Sequence, residues 1–164
     1  MDKKLYLAYG SNLSISQMNY RCPDAFVVGR AIIKDYRLMY KGSRTGAYAT
    51  IEPAEGHEVP VLVWMISEND EKNLDRYEGF PTFYYKKELE VEVLGISKRD
   101  KEKSYGMQTA MVYIMDEERE HGLPSKYYED ILKEGYKRFG FDSALLQEAR
   151  RFTAQQMLRH RTVI

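Results

Sequence analysis

The stretch "LYLAYGSNLS", Leu5 to Ser14, decides how the fold begins. A short apolar run that ends at a glycine is typical of a buried strand, so we expect the first strand over Lys4 to Tyr9. Ser14 and Gln17 stand at the spacing of a capping box, which predicts the start of a short helix. The stretch therefore predicts a strand, a loop of small polar residues and a helix in immediate succession.

The loop between this strand and this helix has the composition of a binding loop. Gly10 lets the backbone approach a ligand closely, and successive N–H groups in such a turn form a nest for an anion. The start of the following helix adds N–H donors near Ser14. Tyr9, Gly10, Ser11 and Asn12 are therefore candidate substrate-binding residues, with main-chain donors suited to a carboxylate or an oxyanion. An ordinary strand-to-helix turn is the alternative interpretation.

The rest of the chain reads mainly as strands first and helices last. Apolar and alternating runs predict the strands, and capping residues with helical spacing predict the helices. The predicted strands are Ala25 to Gly42 with a bulge at Gly29, "AYATIEP", "VPVLVWMI", "FYYKKELEVEVLG" and "GMQTAMVYIM". The predicted helices are Ser67 to Gly79 and the C-terminal segments "SKYYEDILKEGYKRFG" and "SALLQEARRFTAQQMLRH". The polar run "EPAEGHE" reads as a hairpin loop between two of the strands.

This order of elements predicts an α+β fold, with a curved or barrel-like, mainly antiparallel sheet and a few helices. The length of 164 residues fits one domain with a substantial core. We therefore expect a single domain over residues 1–164, in which residues 143–164 form a C-terminal helical extension.

Composition argues against several classes of function. Lys and Arg together number 25, as do Asp and Glu, so no excess of positive charge points to nucleic acid or to an anionic membrane. No segment approaches the roughly 18 apolar residues of a membrane span, and the N-terminus lacks the apolar core of a signal peptide. Cys22 is the only cysteine, and His57, His121 and His160 lack ligand spacing, so we expect no disulfide and no metal site. The cytoplasm is the expected location.

The stretch "LDRYEGFPTFYY", Leu74 to Tyr85, places a carboxylate among aromatic side chains. Glu78 follows the predicted helix and has Tyr77, Phe80 and Phe83 as near neighbours in sequence. Burial among such groups raises the pKa of a carboxyl group, and a pKa of about 6–7 suits a general acid and base. Glu78 is therefore the candidate catalytic residue, and an exposed carboxylate at a helix end is the alternative interpretation.

The tyrosines at the end of this stretch add a candidate binding residue. Fourteen tyrosines in the whole chain favour a tyrosine-lined cleft, since the phenol is used both in half-buried strands and in pockets. Neighbouring residues of a strand point to opposite faces, so only one of Tyr84 and Tyr85 can face a cleft. We assign Tyr84 to substrate binding.

Five motifs, taken in order, resemble the γ-glutamylcyclotransferase family. They are "YGSNL" after the first strand, "YATIEP", "VPVLVW", "LDRYEG" and "GLPSKYYEDI". Together they cover most of the chain, from about Lys4 to about Phe139, and the helical segment from Ser143 lies outside the resemblance. Each motif alone is weak, but their order and spacing make the match specific.

The resemblance implies a compact α+β fold, with a small, mainly antiparallel β-barrel and flanking helices, and a reaction that needs no cofactor. In that reaction the α-amine of a γ-glutamyl group attacks its own γ-amide carbonyl. The products are 5-oxoproline and a free amine or amino acid. The family's catalytic glutamate falls on Glu78, and its substrate-cradling loop falls on Tyr9 to Asn12. Its pocket tyrosine falls on Tyr127, in the helix that follows "GLP".

The amine side of the substrate stays open. γ-Glutamyl amino acids, γ-glutamylamines and γ-glutamyl protecting groups of a biosynthetic pathway are all compatible with the motifs. Glutathione is less favoured, because the family's glutathione-degrading branch carries a different glycine-rich loop. Two other classes also stay open: a non-catalytic small-molecule binding protein that kept the fold, and a scaffold that forms a homodimer or larger oligomer through the C-terminal helix.

Overall fold

The computed structural model describes residues 2–43 and 46–162. Its strands are β1 (Lys4–Ala8), β2 (Phe26–Ser43), β3 (Gly46–Ile66), β4 (Tyr84–Leu94), β5 (Ser104–Met115) and β6 (Glu120–His121). Its helices are α1 (Ile15–Arg21), α2 (Glu68–Tyr77), α3 (Lys126–Phe139) and α4 (Ala144–Thr162), and a short 3₁₀ turn spans Ser11–Leu13.

The strands close into a five-stranded barrel. Their order is β3-β1-β5-β4-β2, and β2 pairs again with β3 to complete the circle, while β6 adds to the outer edge of β2. The pairing of β1 with β5 is parallel, and the other pairings of described strands are antiparallel. The predicted α+β fold with a small, mainly antiparallel barrel and flanking helices is confirmed.

Local sequence signals explain where the helices begin and end. The Ser14 hydroxyl caps α1 by accepting a hydrogen bond from the Gln17 backbone N–H at 3.4 Å. Ser67 and Asp70 form a reciprocal capping box at the start of α2, with two bonds of 3.1 Å. Gly140 ends α3 with a φ of 72°, a left-handed conformation that suits glycine. These caps fix the direction in which each helix leaves the barrel.

The apolar interior runs through the barrel and under the helices. Its largest fully buried side chains include Trp64, Leu7, Ile51, Leu74 and Ile114. The alternation predicted for the fourth strand is present, because Val91 and Val93 are buried and the glutamates between and before them are exposed. Helix α4 adds Leu146 and Ala149 to this interior. Its Thr153 hydroxyl accepts a hydrogen bond of 3.0 Å from the Tyr40 backbone N–H in β2.

The predicted hairpin loop at "EPAEGHE" is wrong. Strand β3 runs through this segment, so "AYATIEP" and "VPVLVWMI" belong to one strand that pairs with β2 on both sides of it. A shift of register between Lys34 and Tyr36 accommodates the extra residues, and Asp35 there has a φ of 62°. The segment is polar because it lies on an exposed part of a long ribbon. The bulge predicted at Gly29 is confirmed by a register shift between Val27 and Gly29.

None of the described helices combines enough length with enough apolar character to span a lipid membrane.

Candidate active site

A cavity of about 520 Å³ lies where the first loop, the end of α2 and the start of α3 meet the barrel. Seven tyrosines contribute to its wall, which explains much of the unusual tyrosine content: Tyr6, Tyr9, Tyr48, Tyr77, Tyr84, Tyr113 and Tyr128. The charged residues of the wall are Glu78, Arg76 and Arg119. The cavity therefore combines aromatic surface with one acid and two cations.

Glu78 is placed in this wall by the end of helix α2. Its backbone N–H donates to the Leu74 carbonyl at 2.8 Å, and Gly79, with a φ of 64°, then turns the chain away. The Glu78 side chain is half-buried. Burial raises the pKa of its carboxyl group to about 7, and the nearby positive charge of Arg21 opposes that rise. No described residue donates a hydrogen bond to the carboxylate, which leaves the group available to a ligand in the cavity.

The loop after β1 presents main-chain donors to the same cavity. The Gly10 and Ser11 carbonyls accept bonds of 3.0 Å from Leu13 and Ser14 and so form the short 3₁₀ turn. Within the described part of the chain, no group accepts a hydrogen bond from the backbone N–H of Gly10, Ser11 or Asn12. These residues line the cavity together with Glu78, so the predicted loop and the predicted acid converge. Free N–H groups at a helical turn suit a carboxylate or a developing oxyanion.

The Asn12 side chain holds the loop in place through hydrogen bonds to neighbouring elements. It is buried, with 2% exposure, and its amide oxygen accepts a short hydrogen bond from the Arg21 guanidinium. Its amide nitrogen donates to the Tyr6 hydroxyl at 2.9 Å, and its backbone carbonyl accepts from the Trp64 indole at 3.2 Å. Asn12 therefore ties the loop to α1, β1 and β3. These bonds occupy its side chain and leave its backbone N–H as the group that can face a ligand.

Two phenols hold the part of β3 that forms the far wall. The Tyr84 hydroxyl donates to the Ala49 carbonyl at 2.8 Å, and the Tyr128 hydroxyl accepts from the Ala49 N–H at 3.1 Å. Strand β1 pairs with β3 only over residues 62–66, so Ala49 has no strand partner on this side. The two hydroxyls provide the hydrogen-bond partners that a neighbouring strand would otherwise give to the N–H and C=O groups of Ala49.

Comparison with known proteins agrees with this geometry. The model of the family described as "Gamma-glutamyl cyclotransferase, AIG2-like" matches residues 6–135. The chain belongs to this family. The family and the enzyme class expected from the sequence are both confirmed, and the matched region contains the loop, Glu78, Tyr127 and Tyr128.

Individual relatives of the γ-glutamyl cyclotransferase family show how far the similarity extends. The human and bovine proteins named "Gamma-glutamylcyclotransferase" are 32% and 31% identical to this chain. The human alignment covers 83% of this chain and 71% of the relative, and the bovine one covers 77% and 76%. A solved structure titled "Gamma-glutamyl cyclotransferase" superposes with a TM-score of 0.75 at 28% identity, covering 90% of this chain and 86% of the other.

Six of the seven site residues predicted from the sequence line the cavity of this γ-glutamyl cyclotransferase family member: Tyr9, Gly10, Ser11, Asn12, Glu78 and Tyr84. Tyr127 does not. Its side chain is 77% exposed, and the adjacent Tyr128 lines the cavity instead. Neighbouring residues of a helix differ in direction by about 100°, so an error of one position moves the side chain from the cavity to the surface.

Tyr6 and Arg119 also line the cavity, and neither was predicted as a site residue from the sequence. Tyr6 lies within a predicted buried strand, and a phenol in such a strand is itself a signal that a polar partner or a cavity adjoins it. Arg119 follows β5 and stacks on Phe83, with its guanidinium carbon 4.5 Å from the ring centroid. No signal in the local sequence indicates that this turn faces the loop near the N-terminus. Among the described residues, no carboxylate forms an ion pair with Arg76 or Arg119.

Within residues 2–43 and 46–162, no group of three or more His, Cys, Asp or Glu side chains is placed to hold a metal ion.

Proposed function

We propose that the protein cyclises γ-glutamyl compounds, releasing 5-oxoproline and a free amine or amino acid, with Glu78 as general acid and base. One observation carries the proposal. A carboxyl group with a pKa of about 7 and a loop with unused N–H donors line the same cavity. The membership of the γ-glutamyl cyclotransferase family supports the substrate class.

A single carboxyl group can complete the proton transfers. The α-amine, with a reference pKa near ~8, attacks as the neutral amine. Its nitrogen becomes positively charged as it bonds to the carbonyl carbon, so a base must take one proton from it. Ionised Glu78 takes a proton from the attacking nitrogen while the new N–C bond forms and the carbonyl π electrons move to oxygen. The carbonyl then re-forms, the bond to the leaving nitrogen breaks, and Glu78 returns the proton to that nitrogen. The enzyme ends in its starting state.

The remaining catalytic contribution is positioning. The nucleophile and the carbonyl belong to one molecule, and holding them at attack distance can supply roughly 7–11 kcal/mol. The N–H groups of Gly10 to Asn12 are suited to either the α-carboxylate or the carbonyl oxygen of the substrate. Tyr9 and Tyr84 act as walls of this cavity, because their hydroxyls already donate to the backbone carbonyls of Tyr113 and Ala49.

The decisive experiment compares wild type with Glu78→Gln, using a panel of γ-glutamyl amino acids and γ-glutamylamines and measuring 5-oxoproline. The variant keeps the shape of the side chain and removes the base, so we expect a loss of about 10²–10⁴-fold in kcat. Glu68→Gln is the matched control, since Glu68 is an exposed glutamate of the same helix outside the cavity. Release of 5-oxoproline by Glu78→Gln at the wild-type rate would show that the assigned mechanism is wrong.

The alternative is a protein that binds γ-glutamyl compounds without turning them over. Isothermal titration of the wild type with the same panel distinguishes the two, because binding without 5-oxoproline release supports the alternative. The proposal places the reaction on free small molecules in the cytoplasm, without nucleic acid or membrane, since the charges of the chain balance. A homodimer stays a prediction, which the mass of the whole chain in solution tests.

A further inference from the structure

Three side chains form a chain of two hydrogen bonds that ends at the cavity: Arg21, Asn12 and Tyr6. A guanidinium group has only donors, so the Asn12 atom that contacts Arg21 must be the amide oxygen. The amide nitrogen therefore faces Tyr6, at 2.9 Å from its hydroxyl oxygen. The orientation of the amide is thus fixed by chemistry, and it is the same orientation that the hydrogen-bond network requires.

This orientation determines where the Tyr6 hydroxyl proton can point. An amide NH₂ group can only donate, so the Tyr6 oxygen is the acceptor of that bond and its own hydrogen must be directed elsewhere. No described residue accepts a hydrogen bond from Tyr6. Tyr6 lines the cavity and is otherwise buried, with 4% exposure, so its O–H bond has the cavity as its remaining direction.

The Tyr6 phenol also has the protonation state that a donor needs. Burial raises its pKa well above the usual value, and the charge of nearby Glu78 raises it further. The hydroxyl therefore keeps its proton at neutral pH. A phenol that accepts one hydrogen bond becomes a stronger donor through its own O–H, because hydrogen bonds in a chain polarise each other.

On the basis of the proposed function, we propose that the Tyr6 hydroxyl donates a hydrogen bond to the γ-carbonyl oxygen of the substrate and stabilises the negative charge that develops there. Glu78 serves both the attacking and the departing nitrogen, and the carbonyl carbon lies between these two atoms. Tyr6 lines the same cavity as Glu78 and senses its charge, so a substrate whose two nitrogens face Glu78 can place its carbonyl oxygen at the Tyr6 hydroxyl. Tyr6 keeps its proton throughout, so the hydrogen bond adds no proton transfer to the cycle.

This assignment gives the side-chain donor and the main-chain donors different parts of the substrate to bind. With Tyr6 at the carbonyl oxygen, the N–H groups of Gly10, Ser11 and Asn12 are left for the α-carboxylate, which is already charged in the ground state. Loss of a loop donor then raises KM, whereas loss of the Tyr6 donor lowers kcat, because its bond strengthens only as the oxygen gains charge.

The first test is Tyr6→Phe, which removes the hydroxyl and keeps the ring. We expect kcat for 5-oxoproline release to fall by about 10²-fold, the usual loss for one oxyanion donor, with KM changed less than about threefold. Tyr20→Phe is the matched control, because Tyr20 is 89% exposed and lies outside the cavity. Thermal unfolding of each variant separates a fold defect from a chemical one.

The second test is Asn12→Asp, which keeps the shape of the side chain but replaces the N–H donor that faces the Tyr6 hydroxyl with an acceptor oxygen. The carboxylate still accepts from Arg21, and its second oxygen now accepts the Tyr6 proton and turns it away from the carbonyl. We expect kcat on the pH plateau to fall to the level of Tyr6→Phe, and the double variant to be no slower than Tyr6→Phe alone. A purely structural role for Asn12 predicts additive losses instead.

The possible results separate a failure of the role assigned to Tyr6 from a failure of the proposed cyclisation activity. Active wild type with an unchanged kcat in folded Tyr6→Phe overturns the role of Tyr6 and leaves the proposed function intact. A raised KM with unchanged kcat also overturns it, since that result assigns Tyr6 to ground-state binding. Wild type that releases no 5-oxoproline from any γ-glutamyl compound overturns the proposed function, and the inference with it.

Discussion

The hydroxyl of Tyr128 accepts a hydrogen bond of 3.1 Å from the backbone N–H of Ala49, so helix α3 supplies the partner that strand β1 does not reach. The same hydroxyl lies directly behind the loop, 3.0 Å from the position that a β-carbon on Gly10 would occupy. One phenol thus sets both the far wall of the cavity and the depth of the loop that faces it. A β-carbon at this point of the loop would press against the Tyr128 oxygen, which would have to shift by a few tenths of an ångström.

Removing the Tyr128 hydroxyl is expected to destabilise the protein. In Tyr128→Phe the buried N–H of Ala49 loses its partner, and we expect a loss of about 1–3 kcal/mol in the free energy of unfolding. Tyr127→Phe is the adjacent control, and its exposed side chain predicts a change within about 0.5 kcal/mol. Urea unfolding of both variants measures the difference. Equal stabilities would show that the bond to Ala49 contributes nothing.

Adding a methyl group to Gly10 is expected to push against the same hydroxyl. Gly10→Ala places its β-carbon 3.0 Å from the Tyr128 oxygen, which must move or displace the loop. We expect a loss of about 1–3 kcal/mol in stability and a higher KM, as the loop donors shift. In the Tyr128→Phe background the oxygen is absent, so the cost of Gly10→Ala becomes smaller. Fully additive losses in the double variant would argue against this contact.

Local patterns made the loop and the acid candidates for the site, and the family resemblance assigned their roles. Gly10 and the cap at Ser14 follow each other in sequence, and Glu78 sits at a helix end signalled by Gly79. Each of these features depends on neighbours within a few residues, which a single sequence displays. The presence of both in one cavity was an expectation from the family resemblance, and the structure brings them together.

Features that depend on long-range packing were not predictable in the same way. The choice between Tyr127 and Tyr128 depends on the rotation of α3 about its axis, which is set by packing of buried residues such as Leu132 and Tyr136. The continuity of β3 through a polar segment depends on pairing with β2 at a distance in sequence. Arg119 reaches the cavity only because β5 pairs with β1.

Arg119 is expected to select substrates by their leaving group. It lines the cavity, stacks on Phe83 and has no carboxylate partner among the described residues, so it can pair with a carboxylate carried by a departing amino acid. We expect Arg119→Gln to raise KM by roughly tenfold for a γ-glutamyl amino acid and to change it little for the γ-glutamylamine of the same length. Steady-state kinetics with the two matched substrates measure this. An equal rise for both would refute selection by charge.

The rate is expected to fall as the pH is lowered through about 7. Glu78 must be ionised to accept a proton, and its pKa in the protein without substrate is about 7, so its protonation lowers kcat/KM tenfold for each further unit on the acid side. Arg21 holds this pKa down, so Arg21→Gln should move the acid limb to higher pH, whereas Arg21→Lys keeps the charge and should move it less. The pH dependence of kcat/KM measures both shifts. A limb near the ordinary pKa of a carboxyl group would exclude Glu78 as the titrating base.

The raised pKa of Glu78 also predicts how stability changes with pH. In the unfolded chain this carboxyl group loses its proton near 4.5, whereas in the fold it keeps the proton up to about 7. The stability associated with the neutral form is therefore fully present below the unfolded value and is lost as the pH rises through the folded one. Because Glu78 is only half-buried, we expect a loss of about 2–3 kcal/mol.

Glu78→Gln has no ionisable group at this position, so its difference from the wild type isolates the contribution of Glu78. The free energy of unfolding of the variant, minus that of the wild type, should rise by the same ~2–3 kcal/mol between about pH 4 and about pH 8.5, measured by urea unfolding. Every other titrating group is common to both proteins and cancels in the difference. A difference that stays constant with pH would mean that burial does not disfavour the Glu78 carboxylate, and the physical basis of its role as a base would fail.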